Sequence, residues 1–451
     1  MERVAASFRD PDGFLYWDKE KLYRKINQSY FKDYDFLKKS GLYKILIDQK
    51  LLVLHTEISL DHESRVIAPD LIPFVSYPYE WSFSQLKDAA LLTLDIQLKA
   101  LEHGMSLKDA SVYNVQFKDG KPIFIDTLSF ERYKEGEPWV AYRQFCQHFL
   151  APLALMAYKD VRLNSLFKNY IDGVPLDLAA TLLPSSSYLS LSLLLHVHLH
   201  ARAQKKYEDT TEKTTSKRTL SLHQIKGLVD SLRSGIAGCT WKAQGTEWVD
   251  YYQDDSYTEV GLKDKQRLVE EFLHITQPKT VWDLGGNDGF FSRLAAKISG
   301  HVVCFDIDPA CVENNYLQSK KNNETKVFPL LLDLTNPTPA VGWGNAERLT
   351  IDKRGNPDCV LALALVHHLA ISNNVPLDYI ASYFASLGQW LIIEFVPKSD
   401  KKVKKLLATR ADIFTQYTQE GFEQAFNSSF EIQSKEQIAD SDRVLYLMRR
   451  K

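Results

Sequence analysis

The chain has 451 residues, more than one ordinary hydrophobic core accommodates, so two or three domains are expected. Its 55 Lys and Arg residues nearly balance its 57 Asp and Glu residues, and the net charge of -2 argues against a protein that coats nucleic acid. A hydrophobic content of 45% excludes a wholly disordered chain and suffices for well-filled cores.

Cysteine and histidine patterns do not predict a structural metal site. The five cysteines contain no CxxC pair, which argues against a disulfide framework or a zinc ribbon and favours a reducing compartment. Within His196, His198 and His200, only the first and last share a helical face, and two ligands do not make a metal site. Because the sequence also shows no export signal and no apolar run of membrane-spanning length, it predicts a cytoplasmic protein. The oligomeric state stays open.

In chain order, the first predicted elements are a hairpin over residues 13–26 and a helix over residues 86–103. Asp109 and Asn114 follow at a spacing of five, and a strand–turn–strand then leads to Asp126. A kinase catalytic loop needs a base aspartate, a metal-binding asparagine five residues later, and a second metal-binding aspartate after a short hairpin. The segment resembles the aminoglycoside phosphotransferase and protein-kinase-like fold, and this resemblance implies ATP and Mg²⁺ at these three side chains.

The same region departs from the kinase pattern. Leu107 stands where a histidine normally precedes the catalytic aspartate, and no glycine-rich loop is visible. The usual lysine of the third strand is missing, and only Arg24 or Lys25 is available in its place. We therefore expect residues 1–202 to form a degenerate kinase-like α+β domain. The alternatives are an active phosphotransferase and a helical domain in which the aspartate and asparagine only cap and turn the chain.

Two segments connect this domain to the rest of the chain. Residues 203–218 are polar and rich in Lys and Thr, which is typical of a linker. Residues 219–262 combine a helical pattern with an aromatic stretch. Trp248, Tyr252 and Tyr257 in that stretch are either a lid that stacks on a bound cation or ordinary core aromatics.

Residues 263–451 alternate short apolar runs with helical patterns, which predicts a parallel sheet with crossover helices. Two further strand-like runs close the chain and predict an antiparallel terminal hairpin. The expected strands lie at 280–284, 301–307, 327–332, 358–365, 390–396, 430–437 and 443–449, with helices at 265–275, 290–298, 309–320 and 377–387. This α/β order resembles that of Rossmann-like methyltransferases and differs from that expected for a dehydrogenase.

The strongest motif is a glycine turn between the first strand of this region and the helix that follows. Asp283 ends the strand, and the turn contains glycines that allow close backbone approach to a ligand, at Gly285, Gly286 and Gly289, with Asn287 between them. The acid inside the loop, Asp288, would repel a pyrophosphate but suits a sulfonium ligand with an ammonium group. The pattern D-x-G-x-x-x-G resembles the first motif of class I S-adenosylmethionine-dependent methyltransferases.

The ends of the next strands agree with this interpretation. Asp306 closes the second strand about twenty residues after the loop, where a carboxylate accepts both ribose hydroxyls. Asp308 is the alternative, since two residues further on it would face the same side of that strand. At the end of the third strand stands Asp333, where the methyltransferase resemblance implies binding of the adenine amino group.

Candidate catalytic residues follow the fourth strand. His367 and His368 lie at the carboxyl edge, where open α/β sheets place their active sites, and a histidine suits general-base chemistry. The alternative is that both only cap the strand and pack. Glu394 and Lys398, at the end of the fifth strand, are weaker candidates.

Outside the linker, the whole chain resembles a bacterial family of two-domain proteins described as class I S-adenosylmethionine-dependent methyltransferases. That resemblance rests on FRDPDGF, IPFVSYPYEWSFSQLKDAALLTL and FCQHFLAPLALMAY, and it implies the cofactor without naming a methyl acceptor. We expect a methyltransferase whose N-terminal domain selects or presents the acceptor. The alternatives are a bifunctional kinase–methyltransferase that acts on one substrate, such as a glycan end, and a non-catalytic S-adenosylmethionine-binding module.

Overall fold

The computed structural model describes residues 2–60, 64–203, 219–243, 257–408 and 410–451. The chain divides into two compact units. Unit 1 comprises Met1–Lys242 and Ala340–Leu349, and unit 2 comprises Ala243–Pro339 and Thr350–Lys451. Trp248, Tyr252 and almost all of the predicted linker lie outside the described residues.

Unit 1 begins with a five-stranded antiparallel sheet in the order β1-β2-β3-β5-β4. Its second and third strands pair from Gly13↔Ile26 to Asp18↔Lys21, which confirms the predicted hairpin. A buried cluster that includes Ile26 and Ile67 packs beneath the sheet. The strands are β1 (Glu2–Arg3), β2 (Gly13–Asp18), β3 (Lys21–Ile26), β4 (His55–Leu60) and β5 (Arg65–Pro69).

The rest of unit 1 is mostly helical and contains two short antiparallel strand pairs, β6 with β9 and β7 with β8. The longest described helix of this unit begins at Phe83. Its N-cap is Ser82, whose hydroxyl accepts from the Gln85 backbone N–H, while the Gln85 side chain accepts from the Ser82 backbone N–H. The helices are α1 (Phe31–Lys39), α2 (Leu42–Asp48), α3 (Phe83–Glu102), α4 (Tyr142–Phe145), α5 (Ala151–Tyr158), α6 (Leu176–Leu182), α7 (Leu191–Leu193) and α8 (Leu222–Gly238). The strands are β6 (Met105–Leu107), β7 (Val115–Lys118), β8 (Lys121–Phe124) and β9 (Phe130–Arg132).

Unit 2 is built on a seven-stranded mixed sheet in the order β12-β11-β10-β13-β14-β16-β15. The first five strands in that order are parallel, and β16 runs antiparallel to both β14 and β15. The sheet therefore confirms the α/β class and the terminal antiparallel hairpin. The strands are β10 (Thr280–Leu284), β11 (His301–Asp306), β12 (Val327–Leu331), β13 (Cys359–Ala362), β14 (Trp390–Phe395), β15 (Phe430–Gln437) and β16 (Val444–Arg450).

Helices cover this sheet, and one face packs on a core that contains Val269, Phe272, Val281 and Ile392. The helices are α9 (Glu259–Thr276), α10 (Phe290–Ala296), α11 (Pro309–Asn322), α12 (Leu377–Leu387), α13 (Lys401–Leu407) and α14 (Gln419–Phe426). None of the helices in the described part of the chain has both the length and the apolar composition needed to cross a bilayer.

Several element boundaries differ from the sequence prediction, and two of these differences have clear local reasons. The Thr258 side chain accepts from the Gly261 backbone N–H, so α9 begins at Glu259, six residues before the predicted start. The second difference is at the end of β13. This strand stops at Ala362 because Ala364 adopts a positive φ of 49°, which a β-strand does not tolerate.

Candidate functional site

A cavity of about 400 Å³ lies in unit 2 at the carboxyl ends of β10, β11, β12 and β13. Its volume is in the usual range for small-molecule sites. The strand order reverses between β10 and β13, and open α/β sheets bind ligands beside such a reversal. The predicted site residues that line the cavity are Gly285, Asn287, Asp306, Asp333 and His368.

The glycine turn after β10 shapes one wall of this cavity. Gly285 has a φ of 75°, and its backbone N–H donates to the Phe305 carbonyl oxygen at 2.8 Å, which ties the turn to β11. Asn287 also has a positive φ, 53°, and Gly289 at 85° starts α10. Gly285 and Asn287 are the residues of this turn that line the cavity.

Asp283, Gly286, Gly289 and His367 do not line the cavity. The Asp283 carboxylate lies beneath the turn and accepts a hydrogen bond from the Ser292 hydroxyl at 2.6 Å. Burial raises the pKa of Asp283 to about 6. This carboxyl group supports the turn from below.

Asp306 is the acidic group with the clearest binding geometry. One carboxylate oxygen accepts from the Asn287 backbone N–H at 2.8 Å and the other from the Asp308 backbone N–H at 2.9 Å. The backbone N–H of Ile307 also contributes a hydrogen bond to this carboxylate, and the residue lines the cavity. Burial raises the pKa of Asp306 to about 6, although the backbone hydrogen bonds from Asp308, Asn287 and Ile307 oppose that shift.

The prediction that Asp308 shares a strand face with Asp306 is wrong. β11 ends at Asp306, and the Asp308 side chain instead caps α11 by accepting from the Ala310 backbone N–H at 2.8 Å. Asp308 is buried and does not line the cavity.

Asp333 follows β12 at the far side of the cavity. Its Oδ1 accepts from both the backbone N–H and the hydroxyl of Thr335, at 2.8 and 2.7 Å. This local turn holds the carboxylate at the cavity wall.

The two neighbouring histidines differ in position. His368 lines the cavity, whereas His367 is fully buried behind it, and burial holds the pKa of His367 well below its usual range. Their ring centroids are 4.0 Å apart. Lys398 donates to Asp412 at 2.7 and 2.8 Å and does not line the cavity.

A buried polar network lies beside the glycine turn and was not predicted from the sequence. Lys265 lines the cavity, forms an ion pair with Glu394 with 2.7 Å between Nζ and Oε2, and donates to the Tyr257 hydroxyl at 2.9 Å. Arg443 also contacts this glutamate, with 3.3 Å between Nη1 and Oε1. The Tyr257 hydroxyl donates to Glu394, so these four side chains form one network. Tyr257 itself does not line the cavity.

A signal for Lys265 was nevertheless present in the sequence. It occupies a position on the apolar stripe of α9, where a charged residue is unusual. The buried apolar residues of the same helix are Leu268, Val269, Phe272 and Leu273.

In unit 1, the three kinase-like residues lie near one another. Asp109 accepts from Gln144 Nε2 at 2.8 Å, and the Asn114 side chain is also hydrogen-bonded to it. Burial raises the pKa of Asp109, and the negative charge of Asp126 adds to this effect.

These acidic groups already have partners within unit 1. The guanidinium of Arg24 on β3 pairs with Asp126 and, at 2.6 Å, with Asp10. Lys108 pairs with Asp12 in the same region. Among the described residues, no group of three or more His, Cys, Asp or Glu side chains is arranged to hold a metal ion.

Comparisons with known proteins match less than half of this chain to solved structures and nearly all of it to a relative in sequence. No protein-family model matches the chain. Among solved structures, magnesium protoporphyrin IX methyltransferase (ChlM) from Synechocystis PCC 6803 with bound SAH is 19% identical, with 46% of this chain and 91% of that chain covered and a TM-score of 0.33. N-methyltransferase NodS from Bradyrhizobium japonicum WM9 is 10% identical, with coverages of 43% and 97% and a TM-score of 0.33.

The nodulation protein NoeA of Rhizobium meliloti (strain 1021) is more similar in sequence to this chain than these two methyltransferases are. It is 35% identical over 461 residues, which cover 99% of this chain and 96% of that protein. The match therefore includes both units. The chain belongs to the protein family of NoeA.

Proposed function

We propose that unit 2 binds S-adenosylmethionine and transfers its methyl group to an acceptor. The observation that carries this proposal is the Asp306 carboxylate, which lines a cavity of about 400 Å³ and is held in place by backbone N–H groups. Two vicinal ribose hydroxyls would donate to these two oxygens. The cofactor supplies an electrophilic methyl group on a sulfonium.

The other cavity residues have roles that fit this ligand. Asp333, held by Thr335, is placed to accept from an adenine amino group, and the turn around Gly285 allows close approach of the ligand to the backbone. Because methyl transfer is an in-line displacement, positioning in a desolvated cavity supplies much of the rate enhancement. The residues present therefore fit the cofactor.

We assign general-base chemistry to His368. It lines the cavity, whereas the other histidine candidate, His367, is buried behind it, and Glu394 and Lys398 are engaged in ion pairs. A base at this position would take the proton from a hydroxyl or protonated nitrogen as the new bond to carbon forms.

For unit 1 we propose a kinase-like fold that binds or presents the acceptor. Support comes from its five-stranded antiparallel sheet, the mostly helical region that follows, and the proximity of Asp109 and Asp126. Nothing favours phosphoryl transfer with ATP and Mg²⁺, since Arg24 pairs with Asp126. The name of the relative states nodulation and no acceptor, so the acceptor chemistry stays open.

Calorimetric titration of S-adenosylhomocysteine into the wild type and an Asp306→Ala variant tests the cofactor proposal. Losing two hydrogen bonds to a charged group is expected to cost about 3 kcal/mol, or roughly a 150-fold rise in Kd. Asp308→Asn is the matched control: asparagine can still cap α11, and Kd should stay within about twofold of the wild type. Folded wild type that does not bind, or an Asp306→Ala variant that binds normally, would overturn the proposal.

Turnover distinguishes an enzyme from a binding module. Labelled methyl groups from S-adenosylmethionine should appear on a component of a cell-extract acceptor pool, and the Asp306→Ala variant should not transfer them. Cofactor binding without transfer to any pool would favour the non-catalytic module.

A further inference from the structure

A basic segment, residues 398–410, follows the last parallel strand of unit 2 in the chain. It includes the short helix α13, and it carries a large excess of positive charge although the whole chain has a net charge of -2. Such a local excess attracts anionic groups. The acidic residue of the segment is Asp400, and its basic residues are Lys398, Lys401, Lys402, Lys404, Lys405 and Arg410.

The basic segment borders the cavity of unit 2. Leu406 on α13 lines the cavity, as His368 does, and α13 packs against the turn of helix that begins at His368. Arg410 fastens the segment to the same wall, because its guanidinium donates to the Ile371 carbonyl oxygen at 2.5 Å and to Asn374 Oδ1 at 2.7 Å. The segment is therefore held beside the histidine to which we assign general-base chemistry.

The carboxylates in and next to the basic segment are each paired with a cation. Asp400 accepts from Nε of Arg443, a residue outside the segment, at 2.8 Å. Asp412 accepts from Lys398 Nζ at 2.7 and 2.8 Å. Neither of these two ion pairs uses a lysine of α13, so they leave the positive charge of that helix in place.

Two lysines of α13 are placed to meet an anionic ligand. Lys401 and Lys404 are three residues apart, share one face of the helix, and are both exposed. Neither has a carboxylate partner in the part of the chain that the structure describes. The other side of the helix carries Val403, which is buried, and Leu406, which lines the cavity. α13 therefore packs its apolar side on the protein and exposes two ammonium groups near the cavity.

The size of this surface limits the kind of anion that it fits. A helix of seven residues is only about 10 Å long, which matches a small anionic ligand. A nucleic acid is bound through many phosphate contacts along its backbone, and the nearly balanced charge of the whole chain does not provide them. Phosphate and carboxylate groups are the small anions that ammonium groups bind in proteins.

We propose that the methyl acceptor of unit 2 is a small molecule with a phosphate or carboxylate group, and that Lys401 and Lys404 bind this group. This inference rests on the proposed function of unit 2 and names the substrate class. The anionic group binds at α13 while the atom to be methylated enters the cavity that His368 lines. Because both ammonium groups are exposed, salt should screen their attraction for the acceptor.

The test uses cell extract that is first divided by ultrafiltration into small molecules and macromolecules. The small molecules are then separated on an anion-exchange column, and the full chain is assayed with labelled S-adenosylmethionine on every fraction. Labelled methyl groups should appear in the small molecules that bind to the column. Treating these with alkaline phosphatase before the assay distinguishes the two sources of charge, because it removes a phosphate and spares a carboxylate.

The double variant Lys401→Gln with Lys404→Gln removes both charges and retains residues that favour a helix. At a limiting dose of the column-bound fraction, its transfer rate should be about tenfold lower than that of the wild type. At a saturating dose the two rates should converge, because only binding of the acceptor is weakened. Added salt should slow the wild type more than the variant. Kd for S-adenosylhomocysteine should stay within about twofold, which shows that the variant is folded.

Lys297→Gln with Lys321→Gln is the matched control. Both lysines are exposed, and they lie at the carboxyl ends of α10 and α11. Because these helices return the chain to the amino ends of the parallel strands, both lysines are at the edge of the sheet opposite the cavity. This control should match the wild type in transfer rate and in salt dependence.

The outcomes separate this inference from the proposed function. Label in small molecules that pass through the column, or in the macromolecules, would overturn the inference and leave methyl transfer intact. A normal rate for the Lys401→Gln, Lys404→Gln variant at a limiting dose would overturn the assignment to these two lysines. Absence of label in every fraction, although S-adenosylhomocysteine binds, would overturn methyl transfer and this inference with it.

Discussion

The two units use aspartate in opposite ways. In unit 1, Asp126 and Asp10 are both paired with the buried Arg24 guanidinium. In unit 2, Asp306 is held by backbone N–H groups and lines a cavity. A guanidinium neutralises the carboxylate it pairs with, whereas backbone amides orient a carboxylate and leave it charged for a ligand. Whether an aspartate can bind a ligand therefore depends on whether a neighbouring cation already neutralises its carboxylate.

Removing the cation of unit 1 is the most severe way to break this contrast. Arg24→Met would leave two carboxylates in a largely buried region without their counter-ion, and the free energy of unfolding should fall by about 3 kcal/mol. Urea-dependent hydrogen exchange, measured on peptides from unit 1, gives this quantity without assuming that the whole chain unfolds in one step.

Arg162→Met serves as the control, because Arg162 forms an exposed pair with Asp160, and such pairs add little to stability. Adding Asp126→Asn to Arg24→Met should recover part of the loss, since an amide tolerates burial better than an unpaired carboxylate. Unchanged exchange in Arg24→Met would show that the pair is not a stabilising element of unit 1.

The sequence predicted the sheet of unit 2 closely because apolar strands alternate with helices at regular intervals. Asp306, Asp333 and the turn at Gly285 were also predictable, since each lies at or just after the end of a strand. The local chain geometry was not predictable from the sequence. Asp308 is the N-cap of α11, and the positive φ of Ala364 ends β13 earlier than predicted.

Long-range pairing set the other limit. Arg24 and Asp126 are a hundred residues apart in the chain, so no spacing rule indicates that they meet. The contact of Lys265 with Glu394 depends on how α9 packs against β14, which hydrophobic periodicity does not specify. The sequence therefore indicated the binding motifs, but it did not indicate which charged side chains form ion pairs with one another.

The histidines of the two units show the same contrast between a hydrogen-bonded side chain and one that lines the cavity, and the expected effect of substitution is smaller. In unit 1, both ring nitrogens of His196 lie 2.8 Å from hydroxyl groups, those of Tyr142 and Ser231, whereas His368 lines the cavity of unit 2. Replacing a general base typically costs about 10²-fold or more in rate. His368→Ala should therefore lower methyl transfer to the extract pool by roughly this factor, with Kd for S-adenosylhomocysteine within about threefold of the wild type.

His367→Gln is the comparison for this experiment, because it changes the neighbouring buried histidine without altering the cavity lining. Its transfer rate should stay within a few-fold of the wild type once the protein is shown to be folded. If His367→Gln is the slow variant and His368→Ala is normal, the assignment of the base is wrong.

The smallest expected effect is a pH dependence of cofactor affinity. Burial raises the pKa of Asp306 to about 6, and only the ionised carboxylate accepts hydrogen bonds on both oxygens. The ligand therefore favours the ionised form, and Kd for S-adenosylhomocysteine should rise about tenfold between pH 7.5 and pH 5. Asp306→Asn should bind more weakly than the wild type at pH 7.5 and show no such dependence.

Unfolding does not account for this loss of affinity at low pH. A carboxyl group whose pKa is raised on folding binds its proton more tightly in the folded state, so its contribution to stability is present at low pH and is lost as the pH rises through about 4 to 6. Asp283, whose pKa is also raised to about 6, lies beneath the turn, so Asp283→Asn should retain the pH dependence. If the dependence disappears in Asp283→Asn and persists in Asp306→Asn, the titrating group is the supporting carboxylate, and the contrast between open and partnered aspartates no longer describes unit 2.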